Sequence, residues 1–181
     1  MSEPENSNSK PPSKIVLPRW MAIAFGLFAW FVAIPLIHSA LPWAISLLTP
    51  HYGWTEGKPG IWNLCGLILI AFAVICLIWI LVLGFAETPE KVKLEWNSSF
   101  LLMRGPYSFT RNPMYVAELG LWLGWAIFYG SILVFIGFAV LFGVINFVGL
   151  PYEERTLEER FGEVYRQYKR TVPRWLGKIR R

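Results

Sequence analysis

The sequence predicts an all-α, polytopic membrane protein with about four transmembrane helices and a C-terminal amphipathic cytosolic helix. Three observations carry this. Of 181 residues, 55% are hydrophobic and 16% charged, where a soluble domain has about a quarter of its residues charged. The apolar residues fall in long runs, the pattern of bilayer-crossing helices rather than of a soluble core. When four spans are drawn, 16 of the 17 Lys and Arg residues lie on one side, as the positive-inside rule requires of a cytoplasmic face.

The elements follow in order. Residues 1–14 hold Ser, Asn, Pro and Glu with almost nothing apolar, and read as a disordered cytoplasmic tail. The apolar run behind them lacks a small-residue cleavage site, so it is not read as a signal peptide. A first span is expected from Trp20 to Ile37, with Pro35 kinking its end. Leu41 to Leu48 is too short to cross alone and either extends that helix or lies at the interface. After a polar loop rich in Gly, Pro and aromatic residues, a second span runs from Ile61 to Phe85. Glu87 to Arg111 is a charged loop. A third span starts at Pro113, a residue suited to a helix first turn, and ends at Tyr129. Gly130-Ser131 reverses the chain into a fourth span, Ser131 to Leu150, which Pro151 is expected to end. Beyond it, Leu157, Phe161, Tyr165 and Tyr168 fall on one face at helical spacing, so the segment reads as an amphipathic helix at the membrane surface.

Composition excludes several functions. The net charge of +5, with every acid a Glu, suggests anionic lipid and cytoplasmic loops, and no nucleic-acid-binding motif is present. Cys65 and Cys76 are eleven helical residues apart, roughly 16 Å, too far for a disulfide. No Cys/His spacing suits a metal, and no phosphate loop, GxGxxG or HExxH occurs. His38 and His51 are isolated and read as interfacial or loop residues.

Two polar blocks bracket the last hairpin. In the first, Arg111 offers a fixed fork of donors for a carboxylate, Asn112 both donates and accepts, and Tyr115 adds a phenol. The helix N-terminus there favours an anion. Alone, the same block is also a positive-inside anchor with an aromatic belt residue. In the second, Glu153-Glu154 stands where the fourth span leaves the membrane. There carboxylates cost free energy unless paired, and at a helix C-terminus they oppose the macrodipole. Paired carboxylates bind an ammonium group or ribose hydroxyls, or simply pair with Arg155 or Arg104. Glu118, one turn inside the third span, is an intramembrane acid and so a site candidate. Asn146, at similar depth in the fourth span, is placed to meet it across the hairpin, as substrate contact or as structural glue. Gly120 and Gly124 form a GxxxG pair that reads as close helix packing.

Together, G-P-Y-x-x-x-R-N-P-M-Y at Gly105 to Tyr115, E-E-x-x-L-x-x-x-F-G-x-x-Y-x-x-Y at Glu153 to Tyr168, and Val172-Pro173-Arg174 resemble the isoprenylcysteine carboxyl methyltransferase and phospholipid methyltransferase superfamily. The resemblance covers Ser99 to Arg174. It implies an S-adenosylmethionine-dependent methyltransferase core over residues 99–181, behind N-terminal transmembrane helices over 15–98. It places Leu101, Leu102 and Tyr107 in the cofactor pocket, Arg111, Asn112 and Tyr115 on the methionine part, and Glu153 and Glu154 on its polar groups. Arg111, Glu153 and Glu154 are the implied catalytic residues, and Glu118 and Asn146 the candidates for substrate contact. The partners are then a lipophilic small-molecule acceptor and membrane lipid, without metal. Both termini are expected in the cytoplasm, at the inner membrane of a bacterium or otherwise at the endoplasmic reticulum.

Where the family usually has His, this chain has Asn112, which hydrogen-bonds but cannot act as a base near neutral pH. A carboxylate acceptor needs no base, whereas an amine must lose a proton. The departure therefore leans toward an isoprenylcysteine-type carboxylate over a phospholipid amine. A non-catalytic scaffold or lipid-binding protein is the alternative outside enzymology.

Overall fold

A computed structural model describes residues 16–88, 91–93 and 101–176. The expected tail 1–14 and part of the charged loop lie outside the described residues. The chain is mostly helical. A short strand β1 (Val16–Pro18) leads into α1, one helical run over Arg19–Ser46. A two-strand hairpin, β2 (Trp54–Thr55) and β3 (Lys58–Pro59), precedes α2 (Ile61–Glu87). Strand β4 (Lys91–Lys93) pairs antiparallel with β1, Val16 opposite Lys93. A 3₁₀ turn over Gly105–Ser108 then leads to α3 (Pro113–Tyr129), α4 (Ile132–Phe161) and α5 (Glu163–Thr171).

Among the described residues, α1, α2 and α4 are long and apolar enough to cross a membrane. Helix α3 has 17 residues, about 26 Å at 1.5 Å per residue, short of the roughly 30 Å hydrocarbon core. It is the inner helix of the bundle, with eight buried residues. It packs most closely on α2, where Gly124 and Gly66 let the backbones meet. A methyl group on Gly124 would lie 2.9 Å from the Gly66 carbonyl oxygen and 2.7 Å from Ile70 Cγ1. The GxxxG pair is thus a packing device.

The helices alternate in direction. At one end, Trp54 Nε1 donates to the Phe128 carbonyl at 2.8 Å, and Asn63 Nδ2 donates to the carbonyls of Tyr52 and Ile127. Gly130 at φ +57 makes the reversal there, and Ser131 caps α4 by accepting from Val134 N. At the other end, Arg19 Nη2 donates to the Phe85 carbonyl and Arg104 pairs with Glu87 at 2.7 Å. Both polar blocks stand at this second end.

Of the two readings of Leu41 to Leu48, extension of the first helix holds: Leu41 to Ser46 continues α1, and two π-helical stretches, Ala29–Ala33 and Leu36–Ala40, flank Pro35. Two expectations change. Pro151 does not end α4. A π-turn over Ile145–Gly149 slips the hydrogen-bond register just before it, which accommodates the residue that lacks an N–H, and the helix continues to Phe161. Glu153-Glu154 is therefore inside a helix and does not oppose a C-terminal dipole. Gly162, at φ +55, breaks the expected amphipathic helix into two pieces. Its apolar face turns inward: Tyr165, Tyr168 and Val172 form a buried cluster with Leu101, Leu157 and Phe161 packed against it.

Candidate active site

The site begins with the backbone between two helices. The strap behind α5, Val172 to Trp175, crosses under the start of α3. Arg111 N donates to the Pro173 carbonyl at 2.9 Å. The Arg174 carbonyl accepts from Thr110 Oγ1 at 2.9 Å and from Asn112 Nδ2 at 2.8 Å. Trp175 Nε1 donates to Asn146 Oδ1 at 3.1 Å, fastening the strap to α4. Asn112 is thus a buried strut, and Asn146 holds a tryptophan. No hydrogen bond joins Asn146 to Glu118 among the described residues, so the expected meeting across the hairpin does not occur; Glu118 faces His38 of α1 instead. His38 is no interfacial or loop residue: it is buried inside the bundle.

The strap also separates the two glutamates. Adjacent helical residues point about 100° apart. Glu154 is buried, and Arg174 binds it bidentately, Nε to Oε1 at 3.0 Å and Nη2 to Oε2 at 2.8 Å. Arg111 Nη1 lies 3.0 Å from the same Oε1, but outside hydrogen-bond alignment, because Nη1 and Nε are both buried without a hydrogen-bond partner. The contact is one of charge, and Arg111 also hydrogen-bonds the Tyr165 phenol. Glu153 is exposed and accepts from Tyr115 Oη at 3.0 Å.

Between Arg111 and Glu153 lies a cavity of about 130 Å³. Leu101, Leu102 and Leu157 give it apolar walls, and Tyr107, Tyr165 and Tyr168 give it phenols. Tyr168 Oη donates to the Tyr107 carbonyl at 2.6 Å, tying α5 to the 3₁₀ turn. Burial, then the charge of Glu153, pushes the Tyr107 phenol up to about 12. Burial, then Glu154, does the same for Tyr165, partly offset by Arg111. Burial, then Tyr107 and Tyr165, raises Tyr168. All three stay neutral across ordinary pH and present hydroxyls and aromatic faces. Five residues expected in the pocket, Leu101, Leu102, Tyr107, Arg111 and Glu153, line this cavity; Tyr115, Asn112 and Glu154 are not in its lining, and Tyr115 touches it only through its hydrogen bond to Glu153.

Arg174, Tyr165 and Tyr168 were not singled out as site residues. The tyrosines close the second motif and Arg174 ends Val172-Pro173-Arg174, but the motifs alone give none of the three a role. A larger cavity, about 470 Å³, lies at the opposite end of the bundle against Tyr52, Trp62 and Phe135. Its lining holds no Glu, His, Lys or Arg.

Residues 61–164 match the phospholipid methyltransferase family. The chain belongs to that family. A 63-residue segment is 40% identical to an uncharacterized protein of Haemophilus influenzae, over 35% of this chain and the whole of that one. No solved structure matches the chain. The family and the apolar helices together make this a membrane methyltransferase.

The charges lining the cavity of about 130 Å³ are those that complement a zwitterion. Arg111 brings a positive charge to its lining and the exposed Glu153 a negative one. The volume is below the roughly 300–1,000 Å³ of small-molecule pockets. Among the described residues no group of His, Cys and Glu could hold a metal ion.

Proposed function

We propose that the cavity between Arg111 and Glu153 binds S-adenosylmethionine and that the enzyme transfers its methyl group to a lipophilic acceptor entering from the bilayer. The observation that carries this is the opposite charge of Arg111 and Glu153 in the lining of one tyrosine-rich cavity. Bound there, the cofactor supplies an electrophilic methyl group on a sulfonium.

The chain's own residues hold and align. Arg111 grips the carboxylate of the methionine part, and Glu153, steadied by Tyr115, takes its ammonium. Glu154 and Arg174 act as positioning residues that fix Arg111. The face of Tyr107 stabilises a cationic sulfur by about 0.5–2 kcal/mol. The reaction is an in-line displacement, so alignment and exclusion of water are most of the catalysis. In this reading residues 99–181 are the catalytic core, α3 is a fourth span, and the clustered Lys and Arg put the site on the cytosolic face. The lean toward a carboxylate acceptor rested on Asn112, whose amide is occupied by the strap and lines no part of the cavity. It therefore carries no weight against a phospholipid amine.

Calorimetric titration of the purified protein with S-adenosylhomocysteine tests the reading. Arg111→Ala and Glu153→Gln should each weaken binding at least about tenfold, the loss of one charge-assisted contact. Absence of binding by the wild type would favour a scaffold instead.

A further inference from the structure

The cavity lies beside the outer end of α3, where Tyr115 hydrogen-bonds its wall residue Glu153. Deeper on the same helix face, at i+3, i+7 and i+10 from Tyr115, stand Glu118, Trp122 and Trp125. They meet His38, which lies outside the residues matched to the family. Trp122 Nε1 donates to His38 Nδ1 at 3.1 Å, and Trp125 Nε1 to the His38 carbonyl at 2.8 Å. An indole N–H only donates, so Nδ1 must offer its lone pair and the ring proton sits on Nε2. An imidazolium would set one N–H against another. Nε2 faces Glu118, whose Oε1 is 3.9 Å away, too far for a hydrogen bond.

Glu118 thus has no hydrogen bond among the described residues, and its side chain keeps 12% of its surface exposed. A carboxylate at this depth with neither cation nor donor costs free energy, and helix packing gives no reason for it. The groups around it are few. His38 comes from α1, Tyr115 and Glu153 lie within electrostatic reach, and from α2 the thiol of Cys76 packs beside Ala117 and Leu121. The carboxylate stands one helical turn beyond Tyr115, whose hydroxyl hydrogen-bonds the cavity residue Glu153 at 3.0 Å.

We propose that Glu118 is the proton acceptor for the attacking group of the methyl acceptor, and that His38, held in one tautomer by Trp122, positions it. The acceptor's attacking atom gives its proton to a Glu118 oxygen. The freed lone pair forms the bond to the methyl carbon. The carbon–sulfur bond breaks with its electron pair staying on sulfur, so the sulfonium becomes a thioether and Glu118 is left as a neutral acid that later releases the proton to solvent. This rests on the methyl-transfer reading above. His38 is a positioning residue; Glu118 touches the reacting group.

The test uses the full-length protein in nanodiscs containing octadecylamine or octadecanoate, with labelled S-adenosylmethionine. Glu118→Gln should keep S-adenosylhomocysteine affinity within about twofold. It should lower transfer to octadecylamine about a hundredfold near neutral pH and recover about tenfold per pH unit as the amine deprotonates by itself. Independently of activity, an infrared carboxyl band should vanish in Glu118→Gln, and its titration in the wild type should track the acid limb of the rate profile. Trp122→Phe frees His38 to protonate beside Glu118 and should move that limb to lower pH. Glu118→Gln with wild-type rate and pH profile, a carboxyl band unchanged by the substitution, or wild-type transfer to octadecanoate alone would overturn the inference. In each of those cases S-adenosylhomocysteine binding leaves the cofactor site standing. A wild type that binds no S-adenosylhomocysteine overturns both.

Discussion

Glu154→Gln and Glu153→Gln, neighbours in sequence, should behave as opposites. The Glu154 side chain is 8% exposed and lies under two guanidinium groups, Arg174 at 2.8 and 3.0 Å and Arg111 at 3.0 Å. Gln keeps the shape and removes the charge, which leaves Arg111, its side chain 10% exposed, without a counter-ion. Breaking a buried pair from one side costs about 3–5 kcal/mol. Arg174 is a third exposed and can turn to water, so the lower end applies, about 3 kcal/mol, or roughly 150-fold in the folding equilibrium. Glu153 is exposed and has a single phenol hydrogen bond, so its change should cost about 1 kcal/mol or less, while weakening S-adenosylhomocysteine binding. Reversible unfolding in mixed micelles, followed by tryptophan fluorescence, measures the first quantity and calorimetry the second. Equal destabilisation by the two variants would refute the division of labour. So would a Glu154→Gln protein of wild-type stability.

Further outcomes follow from the packing and the phenols. Asn112→Ala removes a 2.8 Å hydrogen bond to the Arg174 carbonyl and should destabilise the protein by about 1–2 kcal/mol in the same unfolding assay. Gly124→Ala places a methyl group against Ile70 and the Gly66 carbonyl and should cost about 1–3 kcal/mol, read the same way. Tyr107 and Tyr165 are raised from 10.0 to about 12, by burial first and by the Glu153 and Glu154 charges second. A raised folded value means their contribution to stability is complete below pH 10 and lost as pH climbs toward 12. Circular dichroism should show stability falling across that window, and falling less in the Tyr107→Phe, Tyr165→Phe double variant.

Much of the scaffold was legible in the sequence because membrane helices announce themselves by apolar length. Ile61 and Tyr129 fall at helix ends where a Gly-Pro-rich loop and the Gly130-Ser131 turn interrupt the runs. Pro151 misled for a physical reason: a π-turn at Ile145–Gly149 absorbs the missing N–H, and nothing in the local sequence marks such a register slip. His38 looked isolated because its partners, Trp122 and Glu118, lie 84 and 80 residues away in the chain. The Arg111 and Glu153 pairing across a cavity was legible from the motifs that bracket the hairpin. The roles of Asn112 and Glu154 were not, since spacing gives a residue's place on a helix but not which neighbour claims its side chain. The strap at Val172 to Trp175 does that claiming, through contacts spanning 62 and 64 residues.

Labelled methyl transfer from S-adenosylmethionine into the lipid-soluble fraction, by the purified protein in nanodiscs of total membrane lipid, tests the central claim most directly. The account predicts time-dependent label in lipid with the wild type and its loss in Arg111→Ala. A wild type that binds S-adenosylhomocysteine yet labels no lipid-soluble compound, or an Arg111→Ala protein as active as the wild type, would contradict it.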